Sequence, residues 1–398
     1  MLKNLGKPLI HLGLVLIVLG FIFIWSGSFS GADTQVVRVA VVTDADQLSL
    51  SISSPFKILA LNTNEELYSG RRLWRGKVLP TETGIQINKL DFKIYGLRIQ
   101  PSRSPAIKIN RRKFRGAIDI IRQADNKLLV INHIDVEEYI KGVLYHEVSP
   151  RWPMAALKAQ AIVARTFALY QAKINLKKDY DLVSTVYSQV YGGRTSERGR
   201  TSKAVKLTRD QVLTFKNKIF PTFYHATCAG YTENSSALWK ISLAPLRGRE
   251  CQFCQRSPHF NWQKKISLAE IEQALRNADF KVGTIESIEM LDKNVSGRNT
   301  ELAIASDYGE IKILANPFRL AIGPNLIKST NFTVQLKKRQ AIFTGTGWGH
   351  GVGMCQWGAF FMSKKRFNVE QILGYYYPEA KIKLIEEIKD AQGNFKSF

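Results

Sequence analysis

From Val36 to about Ile131, apolar residues recur at every second position, as in Val37/Val39/Val41, Leu48/Leu50/Ile52 and Ile85/Ile87. Turns rich in Gly, Pro and Asn interrupt these runs, so the pattern predicts a β-rich N-terminal module. Leu128-Leu129-Val130-Ile131 reads as its last strand, after the turn-like Ala124-Asp125-Asn126. The period then changes. Val136, Tyr139, Ile140, Val143 and Leu144 form a stripe at helical spacing, and Asp135 with Glu138 predicts a capping-box-like start. Ser149-Pro150-Arg151-Trp152-Pro153 ends that helix. A second is predicted from about Pro153 to Ala172, with proline suited to its first turn. Its alanines at 155, 156, 159, 161, 164 and 168 let other backbone approach closely. Residues 181–245 read as loop and strand, and 267–277 as helix. Strand patterns return over Thr284–Leu291, Glu301–Ile304, Ile311–Leu314 and Phe332–Leu336. A glycine-dense segment, Gly345 to Gly358, precedes two short C-terminal helices, the last capped by Asn368 and Gln371. The fold class is α+β: a β-rich N-terminal module, then a mixed α/β domain.

The extreme N-terminus changes the setting. Lys3 and Lys7 precede an apolar run from Leu9 to Trp25. A stretch of that length predicts one transmembrane helix whose basic flank stays in the cytoplasm. A cleaved signal peptide is the rival, with Ser26 to Ala32 small enough for processing. Either reading places the remainder outside the cytoplasm, with the anchor holding it to the cell membrane. The organisation expected is an anchor or signal segment over 1–34, the β-rich module over 35–131, the mixed domain over 132–385 with an insertion around 260–340, and a tail over 386–398. At 398 residues and 45% hydrophobic content, the chain can bury more than one core. Its 57 Lys+Arg against 33 Asp+Glu give +24. Such a charge points to a polyanionic partner: nucleic acid, an anionic membrane face or a cell-wall polymer. No recognised nucleic-acid motif accompanies it, so nucleic acid is not the expected partner.

Glu147 continues the apolar stripe through 136, 140 and 143. A carboxylate on a buried face, at the negative end of a helix, has its pKa raised by both effects. Both favour the protonated form that a general acid needs near neutral pH. The same pattern equally admits a structural Glu147 paired with Arg151 or Arg165.

Four ordered motifs break that tie. They are the run Asp135 to Val148 with Trp152 to Ala168, then Ser188-Gln189-Val190-Tyr191-Gly192-Gly193, then His225 to Glu233, and finally Gly347 to Ala359. Together they resemble the stage II sporulation protein D (SpoIID)/amidase enhancer LytB family over most of residues 132–378. The resemblance implies a lytic transglycosylase that cuts the MurNAc-GlcNAc bond of glycan strands already stripped of stem peptides, and places its catalytic glutamate on Glu147. It also implies a partner amidase that strips those peptides. Gln160, Arg165, Gln189, Tyr191, His350 and Gln356 are polar members of the motifs and are assigned to the substrate-binding cleft. The alternative is a non-catalytic wall-binding enhancer of an N-acetylmuramoyl-L-alanine amidase. Hydrolytic glycosidases use two carboxylates, whereas a lytic transglycosylase uses the substrate's own 6-hydroxyl as nucleophile and needs one. Asp181 and Glu233 are the candidates for a second carboxylate, with loop hydrogen bonding their expected role. Trp348, Trp357 and Tyr375-Tyr376-Tyr377 are expected mostly in the core, with stacking on sugar rings as the other option.

Cys251-x-x-Cys254, with Cys228 and either His225 or His259, has the composition of a closed structural zinc site. Some members of the family bind zinc through a His-Cys pair directly before the Gln-x-Tyr motif; Tyr187 and Ser188 stand there in this chain, so that site is absent. A disulfide from Cys228 to Cys251 or Cys254 competes outside the cytoplasm. Zinc is preferred because three cysteines and one histidine complete four ligands. Cys355, where the family commonly has Ser, reads as a small buried residue rather than a nucleophile.

Overall fold

The computed structural model describes residues 35–104 and 106–388. The expected membrane helix and most of the expected tail therefore lie outside the described residues. Among those described, no helix is long and apolar enough to cross a membrane.

The alternating N-terminal pattern folds into two antiparallel sheets. In one, Leu182–Val183, Val36–Ala45, Leu128–Asp135, Ala117–Arg122, Gly96–Pro101, Phe56–Ala60 and Glu66–Gly70 lie side by side in that order. Only the short outer strand Leu182–Val183 runs parallel to its neighbour. The second sheet orders Arg112–Phe114, Ile107–Ile109, Leu48–Ile52, Leu73–Pro80, Ile85–Ile87 and Leu90–Phe92. Val37, Val39, Leu50, Ile52, Ile85 and Ile120 bury the alternate side chains of both sheets in one core, which is what a period of two delivers. That core continues without a break into the helices, taking in Val136, Tyr139, Ile140, Val143, Leu144 and Leu157. Each such side chain contributes about 1.5–3 kcal/mol by leaving water.

The last strand reaches Asp135, four residues past the run of consecutive apolar positions, and helix α1 (Val136–Glu147) begins on the next residue. Asp135 caps it by accepting the Glu137 and Glu138 amides at 3.0 and 3.2 Å. The reciprocal half of the capping box does not form, because Glu138 is engaged by Lys141 and, at 2.9 Å, by Arg115. Pro153 stands at the N-cap position of helix α2 (Met154–Ile174) without a side-chain cap. Its close-packed alanines let α1 and three later helices approach. Helix α3 (Gly199–Leu207) falls where loop and strand were expected. It buries only Thr201, Ala204 and Val205, too few apolar positions to set up a visible helical period.

Residues 262–343 enclose a hydrophobic core of their own, built from Trp262, Ile271, Leu275, Leu302, Phe318, Phe332 and Phe343 among others. It holds α4 (Leu268–Asn277), with a complete Ser267/Glu270 capping box, and α5 (Ala315–Ile322). The chain then returns through the glycine-dense segment to α6 (Gln356–Lys364) and α7 (Val369–Tyr376), the latter capped by Asn368 and Gln371 as expected. A third core under α2, α6 and α7 contains Phe220, Met354, Ile372, Tyr376, Tyr377 and all four cysteines.

Candidate active site

A cleft of about 480 Å³ opens where these bodies of structure meet, and Glu147 lies in it. Glu147 is the last residue of α1, half-buried, and is the only carboxylate lining the cleft among the described residues. It forms no salt bridge with Arg151 or Arg165. Burial pushes its carboxyl up to about 7, against the opposing effect of three hydrogen bonds, from the Tyr224 hydroxyl, the Gln356 amide and the Val190 backbone N–H. Desolvation outweighs the donors here, which is the condition for holding a proton near neutrality.

The donors are themselves held in a buried chain. Tyr139 donates to Gln189 Oε1 at 3.1 Å, and Gln189 Nε2 donates to the Tyr224 hydroxyl at 3.1 Å and to the Ala164 carbonyl at 3.2 Å. Burial holds the Tyr224 phenol well above its ordinary range, so its proton stays available to Glu147. From the other side, Gln356 Nε2 lies 3.4 Å from Glu147 Oε2 and 3.3 Å from Gln160 Oε1. Both side-chain donors to the carboxylate, Tyr224 and Gln356, thus have partners of their own, the arrangement that fixes a reacting group in place.

The opposite wall supplies neutral imidazoles, aromatic faces and one cation. His350 Nδ1 accepts the Val352 amide at 3.1 Å, and burial beside His225 and Arg319 keeps the ring neutral. His225 Nδ1 faces the Val352 carbonyl at 3.1 Å, which requires the proton on Nδ1. Its Nε2 is then a bare acceptor, buried and without a protein partner; burial and Arg298 push this imidazole down to about 3. Trp239 stacks on Phe223 with ring centroids 4.1 Å apart and edges against His350 at 5.2 Å. Trp348 presents its ring to the cleft under Lys328, 4.9 Å from the centroid. Arg319 donates Nε to the Ile327 carbonyl at 2.9 Å and is pushed down to about 10 by burial and by Arg298.

The residues expected in a substrate cleft divide into three groups. His350 and Gln356 line it. Gln160 and Gln189 stand one layer behind, supporting Gln356 and Tyr224. Tyr191 and Arg165 are elsewhere: Tyr191 is buried with its hydroxyl donating to Asn132 Oδ1 at 2.9 Å. Arg165 has a fully buried side chain clamped onto Glu137 through Nε at 2.7 Å and Nη2 at 2.8 Å. Its place in a family motif reflects packing of α2 on α1, because a guanidinium in a dry helix interface needs a bidentate partner. Asp181 and Glu233 are likewise structural. Asp181 holds Arg38 at 2.6 Å, and Glu233 accepts from Asn294 and Ser296 at 2.7 and 2.8 Å. Tyr376 and Tyr377 are core residues, as expected, and Trp357 packs against Trp152 at 5.1 Å. Tyr224, Trp239, Asn316, Arg319 and Asn325 line the cleft without having been singled out. Tyr224 stands directly before the His225 to Glu233 motif, which is the one signal of it in the sequence.

The zinc expectation is corrected in its ligands. Cys228, Cys251 and Cys254 do converge, but their fourth neighbour is Cys355. His225 is directed to Val352 as described, and His259 packs edge-on against Trp348 at 4.6 Å; neither belongs to the cluster. Nor is the expected alternative formed, since all four cysteines are free.

The glycine-dense segment is what lets this wall come so close. Gly353 adopts φ +71°, and a Cβ there would run into the Phe223 carbonyl oxygen. Gly353→Ala is expected to destabilise the protein by at least about 2 kcal/mol, from the left-handed backbone and the displaced strand pair together. A thermal melt checks this; an unchanged melting temperature counts against the packing described.

Comparison with known proteins agrees with this construction. A sequence model described as stage II sporulation protein matches residues 124–215, and one for a domain of unknown function, DUF8618, matches 246–353. An uncharacterized protein of Brachyspira hyodysenteriae is 31% identical over 352 residues, covering 88% of this chain and 93% of that protein. Stage II sporulation protein D of Bacillus subtilis is 28% identical over 67% of this chain and 78% of its own length. The amidase enhancer of Bacillus subtilis is 25% identical over 74% of this chain, which spans 48% of that protein. With α1, α2 and the Gln189 loop inside the first match, and a relative matching nearly end to end, the chain belongs to the SpoIID family.

Proposed function

We propose that this protein is a lytic transglycosylase of peptidoglycan, acting outside the cytoplasm on glycan strands stripped of their stem peptides. One observation carries the reading: among the described residues the cleft holds a single carboxylate, Glu147, with its pKa near 7. A water-dependent glycosidase needs a second carboxylate about 5–9.5 Å away, and Asp181 and Glu233 are both bound up outside the cleft. One acid is enough when the nucleophile belongs to the substrate. Glu147 donates its proton to the glycosidic oxygen as the bond to C1 of the muramic residue breaks. The 6-hydroxyl of the same residue then bonds to C1, closing the anhydro ring. The hydroxyl proton returns to Glu147, leaving the enzyme as it began. Tyr224 and Gln356 stabilise the ionised carboxylate between these proton transfers.

Stripped strands expose the lactyl carboxylates of muramic acid, and the net charge of +24 favours their accumulation at the surface. In the cleft, Arg319 is the group suited to receive one. Arg319→Gln is expected to raise KM on stripped strands about tenfold, the cost of one charge-assisted contact. An equal fall in kcat with KM unchanged would argue against that role.

The amidase expected as a partner is proposed on the same ground: a cleft served by carboxylates freed only after peptide removal must act downstream of that cleavage. Incubating the purified chain with amidase-treated sacculi tests the reaction. New anhydro-muramyl ends are expected, with few on untreated sacculi. New reducing ends would instead indicate hydrolysis, and binding without new ends would favour the non-catalytic enhancer.

A further inference from the structure

The four cysteines do not belong to the cleft, yet their sulfur atoms all lie within 4.8 Å of one another, buried in the core beneath it. They come from three separated segments: Cys228 after the short strand Tyr224–His225, the Cys251-x-x-Cys254 knuckle, and Cys355 immediately before α6. We propose that these four thiolates bind one structural Zn²⁺ that locks the floor of the cleft.

Three observations support a metal rather than two disulfides. First, zinc–thiolate bonds of about 2.3 Å in a tetrahedron place the sulfurs roughly 3.8 Å apart. A mutually close quartet, with Cys228 and Cys254 at 3.4 Å, matches that figure. Disulfides would draw the sulfurs into two bonded pairs, and all four are free. Second, one sulfur is already set up as an acceptor: Cys355 Sγ receives the Cys228 and Gly358 amides, both at 3.3 Å. Such N–H···S bonds are the outer contacts that orient thiolate ligands. Third, a buried cation lies beside the cluster. Arg298 is 1% exposed and donates to the Tyr231 and Cys228 carbonyls at 3.0 and 2.9 Å. Glu233 attracts it through space, but among the described residues no salt bridge engages it. A guanidinium taken out of water is costly without strong compensation; four thiolates and one Zn²⁺ make a dianion beside it.

The cluster is tied by the backbone to the cleft. Cys355 is bonded in sequence to Gln356, which reaches Glu147, and His225 pairs with Cys355 across the parallel strands. A metal at this point therefore fixes two cleft residues through the backbone. It would hold the arrangement in oxidising surroundings, where free buried cysteines are otherwise open to pairing.

The test is metal analysis of the full chain, purified after expression with zinc supplied. One zinc per chain is expected, released when a mercurial titrates four thiols in the native protein. Replacing it with Co²⁺ should give the visible bands of tetrahedral thiolate coordination. Cys355→Ser should lose the stoichiometric metal, while His225→Ala and His259→Ala keep it. Should Cys355→Ser fail to fold, the mercurial titration of the native chain still decides. A metal-free protein, whether with four reactive thiols or with two disulfides, overturns the proposal; so does zinc retained in Cys355→Ser and lost in His225→Ala.

Discussion

Glu147→Gln is expected to lower the rate of anhydro-end formation on amidase-treated sacculi by at least about 10³-fold, with binding to the sacculi retained. General acid–base catalysis by one residue is worth about 10²–10⁴-fold. Here the same group serves in both directions, so the loss should fall at the upper end. The glutamine keeps the size of the side chain and can still meet Tyr224, but carries no transferable proton. Activity unchanged in this variant would remove Glu147 from the mechanism. The substitution should also change stability, in the opposite direction. Burial raises the carboxyl to about 7 from the ordinary 4.5, so between these values the folded state holds a proton that the unfolded chain has released. Stability contributed by the protonated group is therefore complete below about pH 4.5 and is lost as pH rises through 7. Glu147→Gln should be more stable than the wild type above pH 7, by up to about 3 kcal/mol and by less in proportion to the water the cleft admits. The gain should vanish near pH 4.5. Denaturant titrations at the two pH values read it directly.

Arg165→Met is expected to cost about 3–5 kcal/mol, because it leaves the buried Glu137 carboxylate without its partner. Only the Asp210 amide, at 3.1 Å, would remain to Glu137 from outside its own helix. The Gln211 and Val205 carbonyls would each lose one donor, Val205 keeping its bonds from Thr208. Pairing the change with Glu137→Gln should recover a large part of the loss, since the penalty belongs to the unmatched charge rather than to the absent bridge. A chemical denaturation midpoint for each variant measures this. If Arg165 instead served the substrate, Arg165→Met would raise KM and leave the midpoint where it is.

These two residues also show what sequence reasoning can reach. The period of α1 placed Glu147 on a buried face, and the same period could not say whether it faced a cleft or an arginine. Ordered motifs tipped the choice but carried Arg165 with them, since a sequence motif holds packing and chemistry together without distinguishing them. Alternation located the sheets well because each buries one face. Helix α3 escaped because three buried small or β-branched residues make no stripe. The far wall of the cleft was illegible for a different reason. Arg319, Asn316 and Asn325 belong to a segment with its own core, and nothing local marks a residue whose role is set by the docking of another body. Cys355 reads from sequence as a small buried residue at a position where the family has Ser, and it does lie in the core; that it meets the other three sulfurs there is set by the packing of three distant segments, which spacing does not show.

The junction at Asp135 has a consequence for how this sequence is free to vary. The residue is at once the end of a central strand and the cap of α1, so no loop stands between the sheet and Glu147 to take up a change in length. One residue added or removed there would turn the whole helix by about 100° and shift it about 1.5 Å along its axis. Glu147 would leave the cleft and the apolar stripe would leave the core in the same step. The interval from the strand to the acid therefore acts as a fixed ruler, and insertions should be tolerated in the turns of the sheets but not within it.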